Sequence, residues 1–553
     1  MERIKVMLVL WAVICVMGIG LAGYAQPNIP KEEISSDIPA DVRKEIEGLY
    51  SSEPGKRVRA AINLGEMSER AAPAIPYLTG MLGDTNQVRL PDGGSTTPGK
   101  AAAEALVKIG EPAIKPLATA SKDKDLGILG NAVADKSGFD KYAMRFGVNG
   151  EMYPDIRQGE TKIYAVTKEL DKLGMVWLRH PGRGGAWFEI QPTKDTWDFR
   201  KLDAVFSANE HPWIIEILPK GKAYPFKANF SRQYLESLGG ERGIMEYMKA
   251  NTVDMNDPEQ KADAELYVKT FVNRYKDKIK CWGGDEGMPD PHAFDIMTNT
   301  YTWIKEVDPD AVVLITAVAG DSDHMYNKHL EAFDSLLAKG IADYFDVANI
   351  HYYGKIEGDF EKRLEQRFDE YKAIMDKYGV KKPIWVTETS TSSYKESVLS
   401  GPSSEQTQAR HVVKRLVIFS AKGAEKVLWH NYRATFKINK FYQCNLVDPK
   451  TNTPKPSYYT FKLMVDKLGY YKTVETLRRD NVRLYKFTTH TNKPVFVAWS
   501  TSSQTIDLSK HLEAEKVLIT HIIEDNTVQP KTETTKTTNI NISASPIFIE
   551  FIE

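Results

Sequence analysis

Between residues 142 and 470 the chain repeats one alternation: a short apolar run, then a longer stretch with apolar positions at helical spacing. The apolar runs are Met144–Asn149, Met175–His180, Trp213–Leu218, Ile279–Gly284, Ala311–Ala317, Phe345–His351, Ile384–Glu388 and Lys426–His430. Runs of this length bounded by Gly or Pro predict buried strands. Between them, Lys162–Leu173, Ala264–Tyr275, His292–Val307, Glu361–Tyr378 and Glu405–Ala421 are amphipathic and predict helices. Eight β-then-α units in series predict a (β/α)8 barrel over residues 142–470, with a long insertion, Lys220–Asp263, after the third strand. A doubly wound sheet is the alternative, but Phe146–Glu151 (FGVNGE) lacks the Gly-rich dinucleotide fingerprint.

The flanks read differently. Met1–Ala25 has a basic start, an apolar middle and a small-residue end, the pattern of an export signal peptide; an uncleaved anchor helix is the rival reading. Residues 40–121 repeat an Ala-rich helix, a turn and a second helix opened by proline. Pro73, Ile75 and Leu78 recur 39 positions later as Pro112, Ile114 and Leu117, around a polar insertion at Asp92–Gly99. That period and helix-pair form resemble HEAT-like repeats, which either pack on the next domain or hold a protein partner. Residues 474–553 turn to short alternating runs such as Val482–Phe487 and Pro494–Trp499, and predict a small all-β sandwich.

Composition narrows the function class without choosing it. A formal net charge of −1 gives no electrostatic case for nucleic acid or an anionic membrane as partner. Outside the leader only Cys281 and Cys444 remain, too few for a disulfide scaffold or a four-ligand zinc site. Cys281 lies in an apolar run and reads as a small buried hydrophobe. Neither His351 nor His430 stands in a metal-ligand spacing, so neither a metal nor another cofactor is indicated.

The fourth and seventh runs carry the candidate chemistry. Lys278–Pro289 (KIKCWGGDEGMP) and Lys382–Ser390 (KPIWVTETS) each stop at a glutamate, Glu286 and Glu388. Active sites of barrels of this kind lie at the carboxyl ends of the strands, where two carboxylates can act as proton donor and nucleophile. Here the chain resembles the clan A glycoside hydrolases, retaining (β/α)8 enzymes. Tyr275–Trp282 leading to Asp285-Glu286, and Trp385-Val386-Thr387-Glu388, resemble that clan's fourth and seventh strand ends. Arg179, His351-Tyr352-Tyr353 and Trp429 echo its second, sixth and eighth.

The resemblance implies Glu286 as acid/base and Glu388 as nucleophile, held roughly 5–5.5 Å apart, with a poly- or oligosaccharide as substrate. Arg179 would hold the nucleophile ionised, and Tyr353 or its neighbour Tyr352 would donate to it. Trp429 and Trp282 would stack on the sugar. Trp187 and Trp197, after the second strand, either line a subsite or pack; His351 and His430 are site residues or satisfied hydrogen-bonding groups. The clan has Asn before its acid/base residue, where this chain has Asp285, which accepts from a sugar hydroxyl but cannot donate. Its charge also raises the proton affinity of Glu286. A catalytically degenerate barrel, acting as a carbohydrate-binding or protein-interaction scaffold of the cell envelope, is therefore the alternative reading.

Overall fold

The computed structural model describes residues 29–35, 37–82, 84, 86–89, 95–109, 141–149, 169–179, 187–191, 194–208, 211–217, 219, 253–283, 292–320, 322–397, 400–433, 443–511, 516–525, 527–536 and 538–552. The apolar leader, most of the insertion after the third strand, and Asp285 and Glu286 lie outside them. The chain divides into two compact units, Met1–Asp140 and Lys141–Glu553. Among the described residues no helix is long and apolar enough to cross a membrane.

In the first unit the helices Ala40–Gly48, Pro54–Glu66 and Pro98–Ile109 bury an Ala-rich core with Arg57 paired to Asp84 inside it. Of the repeat predicted for this region the structure describes the first unit: the helix Pro54–Glu66, a turn, and a short helix, Ile75–Gly80, that carries Pro76 in its first turn. Pro73 sits inside a 3-10 segment, Ser68–Ala74, rather than opening a helix, and only Ile75–Gly80 follows as helix. Pro73 lacks the N–H that a continuous α-helix would use and so suits the turn, while Pro76 falls in the first turn of the following helix, where no such bond is lost. Pro112, Ile114 and Leu117 lie outside the described residues. Val88–Arg89, just before the polar insertion, and Ser95–Thr96 within it pair as a small antiparallel ladder.

The second unit opens with a curled, all-parallel sheet. Its strands are β1 (Phe146–Asn149), β2 (Trp177–Arg179), β3 (Trp213–Glu216), β4 (Cys281–Gly283), β5 (Val312–Leu314), β6 (Val318–Gly320), β7 (Ala348–Tyr352), β8 (Ile384–Thr389) and β9 (Lys426–Trp429). They run in the order β5-β4-β3-β2-β1-β9-β8-β7-β6. A parallel bridge between Leu314 and Val347, with Ile315 N–H donating to the Val347 carbonyl at 3.0 Å, joins the two ends into a barrel-like ring. β5 falls within the predicted run Ala311–Ala317 and β6 lies just past its end, so nine segments form where eight were predicted. The strands are buried on both faces, which is why they read as near-continuous apolar runs. Gly147 is obligatory in this wall: a Cβ there would lie 2.5 Å from the Trp177 carbonyl oxygen.

The outer helices follow from local chemistry. Pro258–Tyr275 is capped by Asp257, whose carboxylate accepts from the N–H of Glu259 and Gln260, and buries Ala264, Tyr267, Val268, Phe271, Val272 and Tyr275 along one stripe. Glu405–Lys422 starts at a Ser404 cap and stops at Gly423, whose φ of 104° only glycine adopts freely. This helix is buried nearly all round because it lies between the barrel and a second sheet. Asp323–Ala338, after β6, was not singled out by its sequence pattern.

That second sheet comprises β10 (Thr473–Arg479), β11 (Val482–Thr488), β12 (Pro494–Ser500), β14 (Lys516–His521), β15 (Thr532–Thr535) and β17 (Ile547–Ile552), in the order β10-β11-β12-β17-β14-β15. One face packs Leu484, Phe496 and Ile549 against Ile506 and Ile540 of a two-stranded ladder, β13 (Gln504–Asp507) with β16 (Asn539–Ile542). The other face sends Tyr485, Val497, Trp499 and Phe548 into the same core as the barrel helices. A polar seam centres on Glu361. It accepts from Trp499 Nε1 at 2.9 Å, from Arg483 Nε at 3.0 Å and pairs with Lys414 Nζ at 3.1 Å. Burial pushes the Lys414 ammonium down, and Glu361 works against that shift.

Glu361→Ala should therefore strand the buried Lys414 and leave Arg483 with Glu365 as its remaining carboxylate. The expected loss is about 3 kcal/mol of unfolding free energy, read from the urea midpoint. A midpoint equal to wild type would show that the seam does not join barrel to sheet.

Candidate active site

β8 positions Glu388 through an irregularity that alternation does not foresee. Trp385 points into the barrel, its ring 5.1 Å from that of Trp177 and with Lys426 Nζ 5.0 Å above it. Counting by twos from Trp385 would send Thr387 and Thr389 inward and Glu388 out to the helices. Instead the pairing of β8 shifts between Val386 and Glu388 against β7, and between Val386 and Thr389 against β9. One extra residue enters β8 at Thr387, a β-bulge, and Glu388 turns inward. Thr389 now faces outward, where its hydroxyl donates to the Tyr352 carbonyl at 2.9 Å and receives Arg415 at 3.2 Å.

The Glu388 carboxylate, 5% exposed, is gripped from both oxygens. Arg179, at the end of β2 and 1% exposed, donates Nη1 to Oε1; the Tyr353 hydroxyl, just beyond β7, donates to Oε2. His430 Nδ1 lies 3.5 Å and His351 Nδ1 3.8 Å from Oε2. His351 Nε2 contacts Thr387 Oγ1 at 2.8 Å, and Asn149 Nδ2 reaches His430 Nδ1 at 3.2 Å. A guanidinium and a hydroxyl donating to one buried carboxylate favour its ionised form and fix its plane. Arg179 has a second anion: Nη2 donates to Glu216 Oε1, at the end of β3, at 2.5 Å.

Of the residues singled out from sequence, the structure thus gathers Arg179, His351 and Tyr353 around Glu388. Asp285 and Glu286 lie outside the described residues, directly after β4. Trp282 and Trp429 do not join the cluster. Trp282 pairs with Ile215, one step off the Glu216–Gly283 pair, so it faces outward and meets Phe271 edge-on at 5.8 Å. Trp429 is fully buried with its indole N–H donating to the Cys444 carbonyl at 2.9 Å, and leaves no face for a sugar. The next residue, His430, is the one that reaches Glu388. Tyr352 points to the helix layer, edge-on to Tyr326. Trp187 stacks on Tyr267 and Trp197 on Phe199, so both pack.

Sequence reading passed over Glu216 and Asn149. Glu216 carried a weaker signal: it is a lone charge inside the apolar run Trp213–Leu218 (WIIEIL) rather than at its end. Behind the cluster lies Arg415, fully buried, with Nε on Thr391 Oγ1 at 2.9 Å and Nη2 on the Gly354 carbonyl at 3.4 Å. Burial pushes its guanidinium down to about 10. Its three contacts tie the residues that follow Tyr353 and Glu388 to each other. His411, stacked on Phe360 and touching Thr391 Oγ1, is held well below the usual imidazole range by burial and by Arg415. Among the described residues no group of three or more His, Cys, Asp or Glu is placed to hold a metal ion.

Residues 294–436 match the family described as Glycosyl hydrolase catalytic core. Among solved structures the chain is similar to a family 39 glycoside hydrolase from the gut symbiont Bacteroides cellulosilyticus WH2, with a TM-score of 0.52 at 16% identity over 75% of this chain and 82% of that one. It is also similar to a glucosidase from Croceicoccus marinus, with a TM-score of 0.50 at 11% identity over 74% of this chain and 95% of that one. No curated protein matches the sequence. At such identities the structural likeness speaks for the fold, while the family match speaks for the chemistry. The barrel carries a glycoside hydrolase catalytic core.

Cys444 packs against Tyr353, and burial pushes its thiol up to about 11 and that of Cys281 up to about 12. In a Cys15→Ser protein, a thiol reagent at pH 8 should find no reactive cysteine until denaturant is added. Rapid labelling of the folded protein would contradict the closed wall behind Tyr353.

Proposed function

We propose that the protein is an exported, retaining glycoside hydrolase that cleaves O-glycosidic bonds of a poly- or oligosaccharide. In this reading Glu388 is the nucleophile and Glu286 the acid/base. The observation that carries it is the buried Glu388 carboxylate, held by Arg179 and Tyr353 from two other strand ends.

The chemistry follows from that charge arrangement. Ionised Glu388 attacks the anomeric carbon as the glycosidic C–O bond breaks, and Glu286 gives its proton to the departing oxygen. Glu286, now a carboxylate, takes a proton from water, which attacks the same carbon and releases Glu388 and the sugar. The tyrosine hydroxyl leans on the oxygen that does not attack. Arg179 opposes protonation of the nucleophile at working pH. A nucleophile must arrive ionised and an acid protonated, and the guanidinium separates the two roles.

Export rests on the leader pattern of Met1–Ala25, and the helical first unit serves as a HEAT-like appendage for packing or for a protein partner. Asp285, in place of the asparagine of clan A enzymes, supports one second reading, a barrel that binds carbohydrate without cleaving it.

Residues 26–553 should release aryl alcohol from at least one member of a panel of aryl β-glycosides. Glu388→Gln and Glu286→Gln should each lower kcat by about 10³-fold or more, and Tyr353→Phe by about 10- to 100-fold. Silence of the wild type on the panel and on mixed polysaccharides, together with retained sugar binding, would favour the scaffold reading. Full activity of Glu388→Gln would overturn the assignment of the nucleophile.

A further inference from the structure

Arg179 is placed to answer two carboxylates at once. Its guanidinium leaves β2 and spans to β8 on one side and to the adjacent β3 on the other, with Nη1 on Glu388 and Nη2 on Glu216. All three groups are largely shut off from water: the side chains of Arg179, Glu388 and Glu216 are 1%, 7% and 18% exposed. Glu216 is in register with Gly283 of β4, a position with no side chain.

We propose that Glu216 is a positioning residue. It holds Arg179 by its second amine, and so sets both the plane of the guanidinium and the share of positive charge that reaches Glu388. The proposal rests on the assignment of Glu388 as nucleophile for its catalytic meaning, though not for its electrostatic one.

Two physical arguments support it. A planar guanidinium that donates from both Nη atoms to anions on different strands has little freedom left to rotate, so Glu216 fixes the donor that orients Glu388. Charge compensation is the second. When Glu388 becomes an ester in the glycosyl-enzyme its negative charge is gone, and a buried arginine without a counter-ion is costly. Glu216 keeps Arg179 paired in that intermediate. It does so without competing for the anomeric carbon, because it is engaged on the far side of the guanidinium.

The sign of the effect is fixed. The Glu216 charge raises the proton affinity of Glu388, while Arg179 lowers it. Removing the Glu216 charge leaves all of the guanidinium field on Glu388, so Glu388 should protonate at lower pH.

The test compares wild type, Glu216→Gln and Glu216→Asp in the full chain. The acid limb of kcat/KM is followed on an aryl glycoside that the wild type cleaves. In parallel, the Glu388 carboxyl carbon is titrated by 13C NMR in protein labelled at the glutamate side-chain carboxyl, its signal identified by its loss in Glu388→Gln. Glu216→Gln should move both midpoints to lower pH by about half a unit or more, and lower kcat by roughly tenfold. Glu216→Asp keeps the charge but draws it back by one methylene, and should fall between the two. A Glu388 midpoint unmoved in both variants would overturn the proposal, whatever the thermal stability of either. Because the NMR titration needs no turnover, an enzyme silent on every glycoside would sink the nucleophile assignment and still decide the role of Glu216.

Discussion

One buried cation governs the mouth of this barrel. Arg179 is almost completely shielded from water, and a guanidinium in that position is tolerable only with anions at hydrogen-bonding distance. Glu388 and Glu216 supply them, from strands that flank β2 at different distances around the ring. Removing either partner of such a pair costs about 3–5 kcal/mol, because the other charge is left behind in the interior. The same constraint that stabilises the barrel therefore keeps a carboxylate ionised, desolvated and oriented. For a reaction that needs a carboxylate nucleophile, structural and chemical requirements coincide at one side chain.

The rest of the barrel maintains that geometry. The extra residue at Thr387 turns Glu388 inward and leaves Thr389 outside, where Arg415 and the Tyr352 carbonyl engage its hydroxyl. Arg415 belongs to the helix Glu405–Lys422, which is buried against the strands on one side and the C-terminal sheet on the other. Thr389, Ser390, Thr391 and Ser392 form a buried hydroxyl-bearing run, and Gln408 closes part of it by donating to the Thr391 carbonyl at 2.8 Å. The sheet thus acts on the site at second hand, through the helix that holds Arg415. Glu361 links them, joining Lys414 of that helix to Arg483 and Trp499 of the sheet.

Much of this was legible in the chain. Each of the eight predicted runs holds a barrel strand, since strands buried on both faces leave an unbroken apolar signal, while β6 lies outside them. The position of Glu388, and its neighbourhood with Arg179 and Tyr353, was legible because all three stand where apolar runs end. Side-chain direction was not. A bulge is a property of pairing, invisible until β7 and β9 are laid beside β8, and parity likewise sent Trp282 and Trp429 to the outside of the wall while His430 reached Glu388. Glu216 was not legible as a run's end, since Ile217 and Leu218 carry the apolar run past it. In the N-terminal unit a helix and the short proline-opened helix after it follow the predicted form, with Pro73 in the turn between them, while the second copy of the motif lies outside the described residues.

The central claim is that Glu388 forms the covalent bond to the sugar. The direct measurement is mass spectrometry of the protein after reaction with an activated 2-deoxy-2-fluoro glycoside, whose fluorine slows release of the glycosyl-enzyme, followed by peptide mapping. The account predicts one added glycosyl mass per chain, carried by the peptide that contains Glu388 and absent from Glu388→Gln. A label on any other carboxylate, Glu216 included, or cleavage of the parent glycoside with inversion at the anomeric carbon, would contradict it.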